Sequence, residues 1–515
     1  MNINSNGKSR MKPSIHVLAW LLSLLTCMAG PTKSDSILTP APEVVPRIHG
    51  ANVFGVRPGH PFFYKIAATG TPPLRYQVLN LPDGLQLDRK TGIITGILPR
   101  PGNYVMHVQV SNTIGKHECN LTIKVGNSIC LTPPMGWNSW NAFGLSVTQD
   151  KVKAVAQVMI DRGLVEHGWT YVNIDDGWEA GQRTAQGILL GNENFPDIKG
   201  LADWLHARGI KLGVYSSPGP TTCGGHLGSY QHEAQDAETF ATWGVDFLKY
   251  DLCSYKWDIF DKAGDNSEAA WMKPFLTMRR EMDKQSRDIV YSICSYNTIP
   301  WAGKVGANLT RITGDIRDEW PAIVNNGFGV IDQYWYNNRP GLWNDADMLV
   351  VGNTSGGWEN NVRTNKLTRD EQYSHFSLWC LLSAPLIIGC DLTMADDFTI
   401  ALLSNDDVIE INQDALGKPA RRVLKTDSYQ VWVKSLEDGT RAVGIFNMQS
   451  EPQAITVKWS DLNIRGGIVR DLWRQKDLGR YESEFTTQVG PHCVTLVRIK
   501  PTEALRALGN DTQTR

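Results

Sequence analysis

Lys249-Tyr250-Asp251-Leu252-Cys253 closes an apolar run that starts at Val245, and Arg311-Ile312-Thr313-Gly314-Asp315 follows further along the chain. Each aspartate sits where a buried strand is expected to meet its loop. Two carboxyl groups facing one sugar ring can cleave a glycosidic bond with retention: one attacks the anomeric carbon, the other protonates the leaving oxygen. A strand-ending aspartate taken alone is more ordinarily a turn or helix cap. Lys249 before one aspartate and Arg311 before the other favour chemistry. Asp251 must be ionised to attack, and a nearby cation such as Lys249 is expected to hold its pKa down. Asp315 must start protonated, which the charge of Asp251 across the sugar favours. Asp175 and Asp176 are adjacent acceptors suited to the hydroxyls of one ring, with Lys249 and Arg311 as donors to others.

These groups need a frame. Between residues 132 and 416 the pattern alternates strand, loop and helix. Strands are expected at 170–174, 211–215, 247–250, 289–294, 310–314 and 386–389. Helices are expected at 149–162, 201–208, 234–243 and 269–284, where apolar residues recur every three or four positions. This number of βα units favours a closed (β/α)₈ barrel over an open doubly wound sheet. No Gly-rich phosphate loop follows the first strand, which counts against a dinucleotide site. In a barrel the C-terminal strand ends share one mouth. That would gather Trp137, Trp140, Asp175, Asp176, Tyr215, Lys249, Asp251, Cys294, Ser295, Arg311 and Asp315, with Trp343, Asn344, Asp345 and Asp347 near the seventh strand. Trp343 and Asp347 read equally well as packing and loop structure.

The flanks are different. Residues 46–126 alternate apolar and polar side chains between turns such as Pro82-Asp83-Gly84 and Lys90-Thr91-Gly92, the pattern of a small Ig-like β-sandwich. A spacer role is expected for it. After the catalytic stretch 127–418, strands at 429–434, 441–447 and 493–498 predict a second sandwich over 419–501, then a tail, 502–515. At the head, Lys8, Arg10 and Lys12 precede an apolar run from Ile15 to Leu25 and the small residues Met28-Ala29-Gly30. This is the shape of a signal peptide over 1–30, too short to span a membrane comfortably. A polar, Pro-rich linker, 31–45, follows. The chain is therefore expected to be exported, periplasmic or extracellular, without stable membrane insertion once the signal is removed. Leu25 and Thr26 are poor neighbours for lipid attachment at Cys27.

Export permits disulfides. Of nine cysteines, Cys223 and Cys253 are the first pair expected, since each follows a strand of one domain. Cys119 with Cys130 is a second candidate. Cys294, Cys380, Cys390 and Cys493 read as buried thiols. A net charge of -2 gives a nucleic-acid partner no electrostatic support. The 18 tryptophans suit sugar-binding clefts and ordinary cores alike.

Six motifs in order make a more specific pattern. Met135-Gly136-Trp137-Asn138-Ser139-Trp140, Ile174-Asp175-Asp176-Gly177-Trp178, Lys249-Tyr250-Asp251-Leu252-Cys253, Gly314-Asp315-Ile316-Arg317-Asp318, Trp343-Asn344-Asp345-Ala346-Asp347-Met348-Leu349 and Asn412-Gln413-Asp414-Ala415-Leu416-Gly417-Lys418 resemble the α-galactosidases of glycoside hydrolase family 27. The resemblance implies a retaining exo-glycosidase that removes terminal α-galactose from oligo- or polysaccharides, on a (β/α)₈ barrel with a C-terminal β-sandwich. It puts the nucleophile on Asp251 and the acid/base on Asp315. It assigns sugar binding to Trp140, Asp175, Asp176, Tyr215, Lys249 and Arg311, and a disulfide to Cys223 and Cys253. It implies no metal and no cofactor.

One position departs. Family α-galactosidases often carry Glu after the fifth-strand cysteine, at the position facing the C2 substituent of the sugar; here it is Ser295. Relatives accepting N-acetylgalactosamine have Ser there and a small residue three further on, here Thr298. Cys294 also lacks its partner, Ala307 standing at the corresponding position. An α-galactosidase is the leading expectation and an α-N-acetylgalactosaminidase the alternative. A catalytically dead sugar-binding barrel is the weaker one, because both aspartates are present.

Overall fold

The computed structural model describes residues 37–295, 298–329, 337–359 and 361–502. The expected signal peptide with Cys27, the first part of the linker (31–36) and the tail beyond residue 502 lie outside them. The centre is an eight-stranded parallel sheet: β1 (Met135–Asn138), β2 (Tyr171–Asn173), β3 (Lys211–Ser216), β4 (Phe247–Asp251), β5 (Val290–Cys294), β6 (Leu309–Arg311), β7 (Trp343–Asp345) and β8 (Leu386–Ile388). Neighbours in sequence pair from β1 to β7, and β8 pairs back onto β1. The curl closes just beyond β7, where Leu349 N donates to Ile387 O at 2.7 Å and Gly389 N donates to Leu349 O at 3.0 Å.

Helices pack outside: α1 (Gln149–Asp161), α2 (Ile198–His206), α3 (Glu233–Trp243), α4 (Glu268–Asp283) and α5 (Arg369–Leu381). The α1 helix starts where the Thr148 side chain accepts from Lys151 N, and it buries Val152, Val155, Ala156 and Met159 on one stripe. Fully burying such aliphatic side chains contributes about 1.5–3 kcal/mol each. The α2 helix begins at Ile198, earlier than its apolar pattern suggests, because Asp197 caps it through Gly200 N. Thr368 and Glu371 form a reciprocal capping box at the start of α5. At Gly136 the first two strands come so close that a Cβ would stand 2.3 Å from Tyr171 O.

The N-terminal module stacks a four-stranded sheet on a three-stranded one over a core that includes Phe62, Ile94, Met106, Val108 and Ile123. Arg57 ties it to the barrel, its backbone N–H donating to Asp288 at 2.9 Å and its side chain pairing with Asp283 at 3.0 Å. The C-terminal domain has a six-stranded antiparallel sheet and a two-stranded one. Trp432, Phe446 and Leu496 of that domain join the same apolar core as Phe376 and Trp379 of α5. Among the described residues, no helix is long and apolar enough to cross a membrane.

Candidate active site

Lys249 and Asp251 stand two apart on β4, so both side chains point to one face of the strand. The Lys249 ammonium donates to Asp175 Oδ2 at 2.7 Å, and Asn138 Nδ2 donates to the same oxygen at 2.8 Å. Ser139 Oγ accepts from the backbone N–H of Asp175 at 2.9 Å. Asp176 is held from another side: Thr222 Oγ1 donates at 2.8 Å, Gly224 N donates at 2.6 Å, and His226 Nδ1 lies 3.2 Å away. Those three residues belong to the loop after β3, which the Cys223–Cys253 disulfide joins to the loop after β4. Tyr215, near the end of β3, donates to Asp251 Oδ2 at 3.3 Å.

Arg311 ends β6 and is almost fully buried, with its guanidinium 2.9 Å from Asp315 and 3.1 Å from Asp347. Asp347 reaches this position with a left-handed backbone, φ 79°, a costly conformation for a non-glycine residue. Its carboxylate also accepts from Ile316 N at 2.7 Å, and its carbonyl accepts from Trp379 Nε1 at 2.7 Å. Asp315, by contrast, has a side chain 74 % exposed.

The charges depart from the sequence expectation. Burial pushes the Asp251 carboxyl up to about 6, although Lys249 and Arg311 pull it down. Burial also works to raise Asp315, but the charge and hydrogen bond of Arg311 together outweigh it, leaving that carboxyl low. The order reverses because the Asp251 carboxyl is buried while Asp315 pairs directly with Arg311. Burial, then the charge of Asp176, pushes Glu179 well above the ordinary carboxylate range. Asp176, Glu179 and His226 offer ligand atoms within 4.8 Å of one another, but Thr222, Gly224 and His226 already use the oxygens of Asp176.

Trp140, Asp175, Asp176, Tyr215, Lys249, Asp251, Arg311 and Asp315 line one cavity, joined by Asn141, Cys223, Asp347, Met348 and Trp358. Ser295 is not in that wall; its hydroxyl is buried without a partner among the described residues. Thr298 faces β6 instead, donating to Arg311 O at 3.2 Å and accepting from Thr310 at 2.6 Å. Trp137 is core, its indole donating to Cys390 O. Trp343 begins β7 and donates to Cys130 O, at the end of the barrel away from the cavity. Cys119 and Cys130 are free rather than paired: one packs on the core of the N-terminal module, the other against the barrel floor with Phe247 and Leu309. Cys294, Cys380, Cys390 and Cys493 are free as well. Sequence reasoning passes over Thr222, His226 and Trp358, because only the Cys223 bridge marks the first loop and nothing in the local pattern marks the second.

An alpha galactosidase A family model matches residues 132–414, and the model of that family's C-terminal β-sandwich domain matches 426–499. The chain belongs to glycoside hydrolase family 27, the melibiases. An Ig-domain model matches residues 46–126, ahead of the melibiase barrel. An α-galactosidase of Cyamopsis tetragonoloba is 38% identical over 73% of this chain and 88% of its own length. A candidate α-galactosidase/melibiase structure from Bacteroides fragilis covers 89% of this chain and 98% of its own, at 36% identity and a TM-score of 0.83. The structure of α-galactosidase I from Mortierella vinacea covers 72% and 98%, at 31% identity and a TM-score of 0.65.

Proposed function

We propose that this melibiase is an exported, retaining exo-α-galactosidase acting on carbohydrates with a terminal α-galactose. The observation that carries the reading is that Asp251 and Asp315 open onto one cavity whose other walls are donors and acceptors fit for a single hexose: Asp175, Asp176, Lys249 and Arg311. Asp251 is the nucleophile. Its carboxylate attacks the anomeric carbon, the bond to the leaving oxygen breaks, and Asp315 gives that oxygen its proton. Water then attacks the glycosyl ester, Asp315 takes the water's proton, and the sugar leaves with its configuration retained.

The binding residues follow from the hydrogen bonds already made. Asp175 and Asp176 are pre-oriented by Asn138, Lys249, Thr222 and Gly224, so their remaining lone pairs are aimed before a sugar arrives. Tyr215 and Trp140 supply aromatic surface. A sugar hydroxyl that takes an N–H of Arg311 loosens its hold on Asp315 and lets that carboxyl accept the proton it must deliver. Galactose is the preferred sugar, in keeping with the α-galactosidases the chain resembles. Export fits the Cys223–Cys253 bridge, which requires an oxidising compartment.

Proton NMR of the first product tests the mechanism. Hydrolysis of an aryl α-galactoside should release α-galactose before mutarotation; β-galactose appearing first would exclude double displacement.

A further inference from the structure

Trp358 is 57% exposed, yet it lines the same cavity as Asp251 and Asp315. Its ring stands perpendicular to that of Trp140, with centroids 4.6 Å apart and an interplanar angle of 86°. The two indoles therefore make a corner at the mouth, Trp140 the better buried and Trp358 facing water. An indole gains by burial, so one kept in solvent by a firmly fixed backbone is a surface waiting for a contact.

The described backbone on either side is tied down at Thr354, Ser355 and Arg363. Ser355 N and Thr354 Oγ1 both donate to Asn141 O, at 2.7 and 2.6 Å. Thr354 pairs antiparallel with Arg363, whose guanidinium holds the buried Asp318 at 2.6 and 3.0 Å. Asn141 adjoins Trp140, and Asp318 follows Asp315 on its own segment. The loop is thus tied to both pieces of chain that bear the site. Gly356 and Gly357 take left-handed φ of 74° and 87°, and a Cβ on Gly357 would stand 2.7 Å from Trp140 Nε1. The chain is pressed against Trp140 so that Trp358 emerges beside it.

We propose that Trp358 is the platform for the leaving group, and that this group is a second pyranose ring. The inference rests on the reading of the site as an α-galactosidase and deepens it. A pyranose has an apolar C–H face and a rim of hydroxyls; a flat indole takes the face while the rim stays in water. With galactose against Trp140, a ring joined through the scissile oxygen near Asp315 lies over Trp358. Binding energy gained on that ring then helps to hold the reacting bond in place.

The test compares two substrates in the full chain. Melibiose has a hexose leaving group; α-galactosyl fluoride has none. In Trp358→Ala the ratio of kcat/KM for melibiose to that for the fluoride should fall at least ten-fold, about 1.4 kcal/mol. In Trp358→Phe it should fall only about two- to three-fold, because an aromatic face remains. A ratio within two-fold of wild type in the Ala variant overturns the platform. Equal losses on both substrates also overturn it, since Trp358 would then act only by propping Trp140. A wild-type enzyme inactive on both substrates overturns the α-galactosidase reading and this inference with it.

Discussion

The ammonium of Lys249 lies 2.7 Å from the carboxylate of Asp175, which follows β2, two strands over from that of the lysine. Asp175 is nearly fully buried and Lys249 is 15% exposed, so water does little to screen the pair. Breaking such a pair by removing one partner costs about 3–5 kcal/mol, because a charge is left buried alone. Lys249→Met should therefore destabilise the fold by about that amount and lower kcat/KM by about 10²-fold or more, since Asp175 loses its orientation. Adding Asp175→Asn should recover much of the stability without recovering activity. Urea unfolding of the two single variants and the double variant measures the coupling. Additive losses would show that the pair is not coupled.

A second prediction concerns pH. Asp251 is pushed up to about 6 and Asp315 is held low. The two carboxyls together therefore carry one proton only between the depressed value of Asp315 and about 6, and that singly protonated pair is the working form. For a disaccharide, kcat/KM should fall as pH rises through about 6 and fall again on the acid side, below the ordinary carboxylate range. Asp315→Asn, assayed on an activated aryl galactoside that needs no acid, should lose the basic limb. Its acid limb should move up, because activity then follows the ionisation of Asp251 alone, which lies somewhat below 6 once the charge of Asp315 is gone. A basic limb unchanged in this variant would take the acid role away from Asp315.

The raised pKa of Asp251 also makes the proposed nucleophile a stability cost. A carboxyl whose folded pKa exceeds its unfolded value stabilises the fold below the unfolded value, near 3.8, and loses that contribution as pH rises through about 6. Above that window the ionised group costs about 2–3 kcal/mol. Asp251→Asn should thus unfold at higher temperature than wild type near pH 7.5 and at the same temperature near pH 4. Its turnover should drop about 10⁴-fold or more, since the amide cannot form the glycosyl ester. Calorimetry at the two pH values, beside an assay of the same preparation, checks both halves. Near-wild-type turnover would reject Asp251 as nucleophile.

Much of this frame is legible in the sequence because βα repeats impose two clear periods, and a barrel sends strand ends to one mouth. Asp251 and Asp315 are readable for that reason. What escapes is what tertiary pairing decides. Lys249 and Asp251 look like partners in sequence, but side chains two apart on a strand are separated by two residue rises, about 6.6 Å along the chain. A carboxylate from β2 comes closer. Trp343 resembles Trp140 as a tryptophan beside a strand, yet its register opposite Leu309 puts it at the barrel floor. Strand β6 stops at Arg311, short of the expected 314, because after Ile312 N donates to Asp345 O the chain turns away to present Asp315. Thr222 and His226 reach Asp176 from the loop after β3, a contact between segments that no local pattern in the sequence announces.

Ser295 carries the last prediction. It follows Cys294, whose register partner is Asp251, so it sits one step beyond the proposed nucleophile on the neighbouring strand. Its hydroxyl is buried with no hydrogen-bond partner among the described residues, although a buried polar group normally finds one. If that hydroxyl serves the C2 substituent of the sugar, Ser295→Ala should leave stability within about 0.5 kcal/mol, because no bond in the protein is lost. It should raise KM for galactosides several-fold. Ser295→Glu should fill the same space, suppressing hydrolysis of an aryl α-N-acetylgalactosaminide while galactosides survive better, because a carboxylate can accept from a C2 hydroxyl. That discrimination should be worth about 1–3 kcal/mol. Galactose should be the main substrate of the wild-type enzyme, with measurable activity on the N-acetyl sugar. Wild type inert toward the aryl N-acetylgalactosaminide at high enzyme concentration would remove that tolerance. An unchanged galactoside KM in Ser295→Ala would remove Ser295 from the sugar site altogether.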